Sequence, residues 1–580
     1  MSNTPNFDTK LDAILAGLKA GEERVCALTG ETWVLDESEI AICKKFRVPP
    51  SKVKPGTRMN MLNGYNTGLA IFWNRDVFSS KPIVSAIHPD LPFKVVEDID
   101  WYKHDFSSTY QDIDPSRPVF DQIWDLVTMV PMRAKRNRDV DAASVAVGSW
   151  KSVESYMSCA SQALRSLYTY AAFQAEDCVD VVNGTHIARS FSISDSHNIA
   201  DSEYLFSCYR CLKSSFLFDC RDCELCFGAT NKRQKKYLWF NEQLSESEWK
   251  KRRAEVDLGC RSTADAWLEK FYRLWHEQSI WPASFGIRNE NSRGEHLNFC
   301  VNCDGYSYWL DKCTGCYHCR FGIEANDCAY CSGFGWATRT YMSTGDTNGA
   351  DNKFTMGCSN GVELEYCAVC DDCQRCFGCA GLHKKEFHIF NKPYPKEEYW
   401  RRVDELKCAM LDDGSYGEFF PGKFSLSGFE HSTGAVYFDY RERDLERFGA
   451  IRVDPKQGLV LAPKREEAHV VRLRIEDIPD CIDEVSSEHV NTPIHDEELD
   501  RDFSIVPKEL AIYKEKRWPF PRRHFITRLT HWLRHANSPF AIEVVCASCS
   551  AKTTTYKNFT FPERRVYCMN CYHGFIEKNG

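Results

Sequence analysis

The chain has 580 residues, 43% hydrophobic and 27% charged, which excludes a disordered or fibrous protein and predicts roughly three or four domains. A net charge of −9 argues against a globally basic nucleic-acid coat while leaving room for a local basic patch. No apolar run approaches the roughly 20 residues that cross a bilayer, so no membrane span is predicted.

The first segment, MSNTPNFDTKLDAILAGLKAGEERV, places Leu11, Ile14, Leu15 and Leu18 at helical spacing among charges, without the apolar stretch of a signal peptide. The cytoplasm is therefore the expected compartment, and the 29 cysteines become the anomaly. Without export, metal ligation or thiols packed as small apolar groups gain over disulfides.

Residues 1–110 read as a degenerate zinc-ribbon-like domain, by comparison with the far end of the chain. VLDESEIAICKKFRVPP is similar to IVPKELAIYKEKRWPFP, with Pro49 matching Pro519 and Thr57-Arg58 matching Thr527-Arg528. With one gap, Asp76 and Ser79 fall opposite Cys546 and Cys549, and Glu97 and Asp100 opposite Cys568 and Cys571. The favoured reading is a ribbon that lost its metal and holds by packing of Trp73, Phe78, Phe93 and Trp101. The alternative is an oxygen-ligand cation site from Asp76, Glu97 and Asp100.

Residues 111–241 and 305–411 carry an internal duplication. CYRCLKSSFLFDCRDCELCFG from Cys208 and CSNGVELEYCAVCDDCQRCFG from Cys358 align without a gap, so that Cys220, Cys223 and Cys226 match Cys370, Cys373 and Cys376. Phe240-Asn241 likewise matches Phe390-Asn391, and each copy runs on into a helical segment. Within each copy lies a period of twelve: Ser190, Ser202, Ser214 and Cys226 form one column, and Ser196, Cys208 and Cys220 another. Every third residue from Met157 to Ala229 is uncharged and mostly Ser, Ala, Cys, Thr, Gly or Ile. All but Cys260, Cys300 and Cys303 of the cysteines from Cys178 to Cys379 share that phase, and Asp346 and Asn352 interrupt it in the second copy.

The predicted fold class is therefore mainly β: two β-solenoid stretches of about 12 residues per coil, with helical inserts and zinc-ribbon-like terminal domains. So thin a tube accepts only small inward groups. The interior resembles that of the twelve-residue β-helices of insect antifreeze proteins. A helical insert, 242–304, supplies Trp267, Phe271, Leu274 and Trp275, with Ser245 and Glu248 as a capping box. An α/β connector, 412–500, follows the second copy.

Four readings compete for Cys370, Cys373, Cys376, Cys379, Cys220, Cys223 and Cys226: packed thiols, zinc ligands, a disulfide ladder, or an iron–sulfur cluster. Packing is favoured because it explains the serines and alanines too. The iron–sulfur reading is disfavoured because Cys379 follows Cys376 too closely and Ala380 stands where proline is expected.

The last segment, 501–580, holds Cys546-x2-Cys549 and Cys568-x2-Cys571, the spacing of a zinc ribbon, and one structural zinc is expected there. Four thiolates would leave no open coordination position for catalysis.

Taken together, CALTGETW near Cys26, the CRDCELCFG and CDDCQRCFG runs with their FN-helix tails, YGEFFPGKFS from Tyr416, IPDCIDEV from Ile478 and FSIVPKELAIYK from Phe503 mark a resemblance. The chain resembles a family of cysteine-rich proteins predicted from genomes of uncultivated candidate-phylum bacteria, to which no activity is attached. The resemblance implies C-x2-C pairs at both ends and several zinc knuckles. This chain departs from it: Thr29 follows Cys26, Lys54 and Thr57 replace a second pair, and His524 and Thr527 stand at a C-P-x-C-type site.

No glycine-rich phosphate loop, His-Glu zinc motif or nucleophile elbow occurs, which predicts a non-enzymatic scaffold. Its outer faces would present Tyr204, Phe206, Phe216, Phe218, Tyr366 and Trp239, and its ends would meet a macromolecular partner. Arg522, Arg523, Arg528, Arg564 and Arg565 form the candidate nucleic-acid contacts. The alternative is a thiol-redox or multi-metal protein binding zinc or iron–sulfur. The histidines His186, His197, His318, His383 and His388 are scattered and predict surface positions.

Overall fold

The computed structural model describes residues 2–580 apart from 160–161, 171–172, 177, 183–186, 306, 346, 439, 441, 455–456 and 458–470. Ala160, Ala172, Gly184, His186 and Asp346 thus lie outside the described residues. The chain forms two compact units, each joining one end of the chain to one copy of the duplication. One contains Met1–Arg136 and Gly286–Gln457, the other Asn137–Phe285 and Gly458–Gly580.

In the second of these units, strands from Val145–Val147 to Leu238–Trp239 lie parallel and pair in chain order, except that Gln162–Ala163 and Phe173–Ala175 stand outside this ladder and pair with each other. Phe191 pairs with Glu203, Glu203 with Ser215 and Ser215 with Phe227, a step of twelve each time. Single bridges such as His197–Tyr209–Arg221–Arg233 repeat the same step on another side. In the other unit a seven-stranded parallel sheet runs from Gly286–Ile287 to Lys353–Met356. Bridges from Lys353 to Glu365 and from Glu365 to Phe377 carry the step onward.

The inward rows contain what fits and what bonds. Ser202 Oγ donates to the Ala200 carbonyl at 2.8 Å and accepts the Ser214 N–H at 3.1 Å. Ser214 does the same for Cys226. Sulfur can stand in for oxygen: Cys358 Sγ accepts the Cys370 N–H at 3.4 Å. Each such side chain satisfies a main-chain donor twelve residues on, a buried group that would otherwise be costly. Asn352, the irregular member, is buried and does this too, accepting the Leu364 N–H at 3.0 Å. Its amide fills the space left by Gly349 and Gly361.

The residue before each inward position turns the chain. Positive φ recurs at Arg189, Ser192, Asp195, Asn198, Asp201 and Tyr204, a conformation that costs an L-residue roughly 1–2 kcal/mol. Hydrogen bonds to the neighbouring rung hold it; the Asp201 N–H, for example, donates to the Ala188 carbonyl at 3.1 Å.

The FN tails end each ladder. Asn241 Oδ1 accepts the Thr230 N–H and Asn391 Oδ1 the Ala380 N–H, replacing a next rung. A short hairpin then covers the edge. Gly228 and Gly378 precede these tails at positive φ, and a Cβ on either would strike the ring of Phe240 or Phe390. Each tail continues into a helix, Glu246–Ala254 or Lys396–Asp413, and Ser245 accepts the Glu248 N–H as expected.

Two expectations are corrected, and one irregularity of the sequence is explained. Helix and strand are nearly equal, 28% against 27%, so the chain is mixed α/β rather than mainly β. Short sides and turns make the rungs strand-poor, while the insert and both ends are rich in helix. Cys300 and Cys303, out of phase in sequence, are buried with Cys313, Cys316 and Cys319 because one rung has thirteen residues, Leu297 pairing with Leu310. Tyr204, Phe206, Phe216, Phe218 and Tyr366 are buried. In the unit that contains them, the helices Arg261–Gln278 and Phe525–His535 cover Tyr204 and the three phenylalanines: Phe206 meets Trp275 and Trp532, and Phe218 meets Trp275. Tyr366 packs against Phe420 in the other unit. Trp239 is half-buried against Trp267.

The two ends of the chain repeat one element order. Hairpin, two helices and hairpin run through Glu22–Val25, Thr32–Leu35, Glu37–Phe46, Pro55–Asn63, Phe72–Arg75 and Pro82–Ser85. The same order recurs from Ile494–Asp496 and Arg501–Phe503 through Pro507–Lys516 and Phe525–His535 to Ala541–Val545 and Lys552–Tyr556. A two-residue strand and a helix close each copy, Val95–Val96 with Asp98–Trp101 and Val566–Tyr567 with Met569–Asn579.

Candidate metal centre

The hairpin Ala541–Val545/Lys552–Tyr556 carries Cys546 and Cys549 in its turn, and Cys568 and Cys571 sit at the start of the helix Met569–Asn579. The turn is closed by the Cys546 N–H on the Ala551 carbonyl at 2.8 Å and the Ser550 N–H on the Cys546 carbonyl at 3.0 Å. All four sulfurs lie within 4.8 Å of one another, and Cys549 and Cys568 are 3.8 Å apart. A tetrahedron with metal–sulfur bonds of about 2.3 Å has edges of about 3.8 Å, so the set fits a tetrathiolate ion. Burial pushes the Cys546 thiol up, but the N–H groups of Cys549, Cys568 and Ser548 outweigh it and bring it down to about 6. At Cys571 the Ser548 hydroxyl acts downward, yet the neighbouring thiols drive it up to about 12. One thiolate forms readily and resists the next, a conflict that a cation removes.

Three equivalent turns in the chain show what happens without four thiols. In each, the first turn residue accepts an N–H from the loop opposite. Cys546 takes it from Cys568 at 3.2 Å, and Cys26 from Lys54 at 3.4 Å. Asp76 takes it from Glu97 at 2.9 Å, and Asp496 from His524 at 2.7 Å. Asp76 also accepts from the N–H of Phe78 and Ser79. Although burial acts upward, these donors hold its carboxyl below the usual range. Glu97 pairs instead with Lys135 at 2.6 Å and Asp100 with Lys103 at 2.8 Å. Asp76, Glu97 and Asp100 do not gather as cation ligands, and the N-terminal copy is held by hydrogen bonds and packing. Trp101 and Phe93 are buried in it, Trp73 is half-buried, and Phe78 is exposed against His104.

The rung cysteines behave differently. Cys220, Cys223, Cys226, Cys370, Cys373, Cys376 and Cys379 are all buried free thiols. Cys220 Sγ lies 3.5 Å from the Phe218 carbonyl and 3.6 Å from that of Ala229, and Cys370 Sγ 3.6 Å from those of Ala368 and Cys379. Burial pushes the thiols of Cys220, Cys370 and Cys379 up, and that of Cys159 to about 12, while hydrogen bonds from neighbouring thiols bring Cys376 down to about 6 and lower Cys223. Among the described residues, only two groups of three or more His, Cys, Asp or Glu bring ligand atoms within 4.8 Å of one another. One is the Cys546 tetrad; the other is Cys260, Asp480 and Cys481.

Cys260 and Cys481 form a disulfide that no local sequence signal foretold. It ties the start of the helix Arg261–Gln278 to a segment whose Asp480 carboxylate accepts the Ser262 N–H and hydroxyl.

The five candidate nucleic-acid arginines divide. Arg564 donates to the Phe561 carbonyl and lies over Trp281, and Arg565 donates to the carbonyls of Glu277 and Ser279. Both fasten the ribbon to the insert. Arg522, Arg523 and Arg528 surround the start of the helix Phe525–His535 instead. Of the histidines, His388 is buried rather than at the surface.

No protein-family model matches the chain, and no curated protein is similar to it. Among the described residues, no helix is long and apolar enough to cross a membrane.

Proposed function

We propose that the chain is a non-catalytic scaffold whose twelve-residue rungs are the coils of two β-solenoids, with one structural zinc at Cys546, Cys549, Cys568 and Cys571. The observation that carries this reading is the division of labour among cysteines. Rung thiols are buried and bonded to main-chain carbonyls, while the four terminal thiols converge on one point. A closed tetrathiolate leaves no position for substrate, which supports a structural metal. The ends would meet a macromolecular partner, in the cytoplasm.

Elemental analysis and thiol labelling of the native protein test it together. One zinc per chain is expected, lost in Cys549→Ser/Cys568→Ser, with rung thiols labelled only on unfolding. Iron, several metal ions per chain, or rapid native labelling of Cys208 or Cys370 would replace it with the thiol-redox or multi-metal reading.

A further inference from the structure

A cavity of about 430 Å³ opens in the unit that carries the tetrad. Its charge is one-sided. Arg261, Arg522, Arg523, Arg528 and Arg534 line it, against a single lining carboxylate, Asp265, which lies 3.5 Å from Arg261. Beyond the rim, Asp496 is 3.5 Å from Arg523, Glu498 is 2.9 Å from His531, and the Asp480 carboxylate faces the charges of Arg522 and Arg261. Its other walls are aromatic: Phe191 and Tyr204 from adjacent rungs, Tyr272, and Trp532. The terminal nitrogens of Arg261 and Arg522 donate to the carbonyls of Pro519, Phe520 and Ile478, while the Nε atoms of the two arginines and the indole nitrogen of Trp532 are buried without a hydrogen-bond acceptor. Such donors in a native protein call for a partner. His535 supplies none, since its ring nitrogens are held by Tyr272 at 2.8 Å and the His531 carbonyl at 2.7 Å.

The other copy shows that the fold does not require this cavity. By the match of Thr57-Arg58 with Thr527-Arg528, Met61, Leu62, Gly64 and Tyr65 stand where His531, Trp532, Arg534 and His535 do. There the Phe429 ring lies so close to Gly64 that a Cβ would come within 2.4 Å of it, and it packs on Tyr65 at 5.4 Å. Arg58, the counterpart of Arg528, is buried against Glu39 at 2.7 Å. One copy fills the place with apolar side chains; the other lines it with arginines and rings.

We propose that this cavity binds a nucleoside monophosphate unit, its base among the aromatic side chains and its phosphate on the arginines. Guanidinium groups match phosphate oxygens in pairs, and aromatic faces hold bases by stacking. The volume suits one nucleotide rather than a strand. The unit is either a free nucleotide or the 5′-phosphorylated end of a strand. This goes beyond the scaffold reading and does not depend on it, because none of the lining residues is a metal ligand.

Calorimetry on the full-length zinc-loaded protein tests it, with AMP, GMP, CMP and UMP, the four corresponding nucleosides, inorganic phosphate, and tetranucleotides with and without a 5′-phosphate. At least one monophosphate or the phosphorylated strand should bind once per chain. The matching nucleoside or unphosphorylated strand, and inorganic phosphate, should bind at least tenfold more weakly. Binding of the monophosphates assigns a free nucleotide; binding of the phosphorylated strand alone assigns a strand end. Arg534→Glu, at an exposed position, should weaken binding at least tenfold with zinc content and melting temperature unchanged, and Trp532→Ala should weaken it independently. No binding by any phosphorylated probe at about 1 mM, or binding unaffected by Arg534→Glu, overturns the proposal.

Discussion

Replacing Ser202 tests whether inward serines serve the backbone as well as the packing. Its hydroxyl accepts the Ser214 N–H at 3.1 Å and donates to the Ala200 carbonyl at 2.8 Å, and the residue is buried. Ser202→Ala leaves the Ser214 N–H without an acceptor, a loss of about 1–3 kcal/mol. Ser202→Cys keeps an acceptor, as Cys358 does for Cys370, and should cost less than about 1 kcal/mol. Ser202→Leu loses the hydrogen bond and adds overpacking of about 1–3 kcal/mol more. Thermal unfolding should rank the variants Cys, Ala, Leu in falling stability, by roughly 2–4 °C per kcal/mol. Hydrogen exchange at the Ser214 amide should quicken in the alanine variant but not in the cysteine one. A leucine variant as stable as the parent, or an unchanged Ser214 amide in the alanine variant, would refute the reasoning.

Two further outcomes follow from buried ionisable groups. Arg58 and Glu39 pair at 2.7 Å in the core, with the guanidinium 3.9 Å over the Tyr330 ring. Glu39→Ala should cost about 3–5 kcal/mol by stranding the arginine, whereas Asp327→Ala, at a surface pair with Lys45, should cost under about 1 kcal/mol; equal losses in thermal unfolding would contradict this. Burial pushes the His535 imidazole down to about 4, so between that value and about 6.5 the unfolded chain binds more protons than the folded one. The His535 share of stability is complete above about pH 6.5 and falls by about 2 kcal/mol from pH 7 to pH 5. Urea unfolding at the two pH values should show that share missing in His535→Phe, and an unaltered pH dependence would refute it.

The period of twelve was legible because each inward position is constrained by itself: a small group must fit, and many must accept an N–H. Asn352 meets both demands with a different side chain, so in sequence it reads as an interruption. Cys300 and Cys303 fall out of phase in sequence because a single longer rung shifts the phase without altering any local residue preference. The aromatic rows could not be assigned to solvent or interior from spacing alone. Tyr204 and Phe216 recur at twelve whether a helix covers them or not. The basic cluster failed as a unit for a related reason: Arg565 is spent on main-chain carbonyls distant in sequence, and Arg564 lies over the distant Trp281 ring. The disulfide between Cys260 and Cys481 likewise depends on a tertiary approach with no local pattern.

The four hairpin turns show how such a fold can lose a metal and keep its geometry. Each turn must be joined to the loop opposite, and a thiolate tetrad would do this through an ion. A carboxylate does it alone: Asp76 accepts the Glu97 N–H with one oxygen and the Phe78 and Ser79 N–H groups with the other, and Asp496 bonds His524 and Leu499 in the same way. A lone thiol has less capacity. Cys26 reaches the Lys54 N–H at 3.4 Å, but it sits in a turn whose Thr29 and Lys54 add a hydroxyl and an amide to hold it down in pKa against its burial. At Asp76 and Asp496, aspartate at the first position makes the join without three further ligands. At Cys546 no such carboxylate exists, so the turn and the helix Met569–Asn579 depend on whatever the four sulfurs hold.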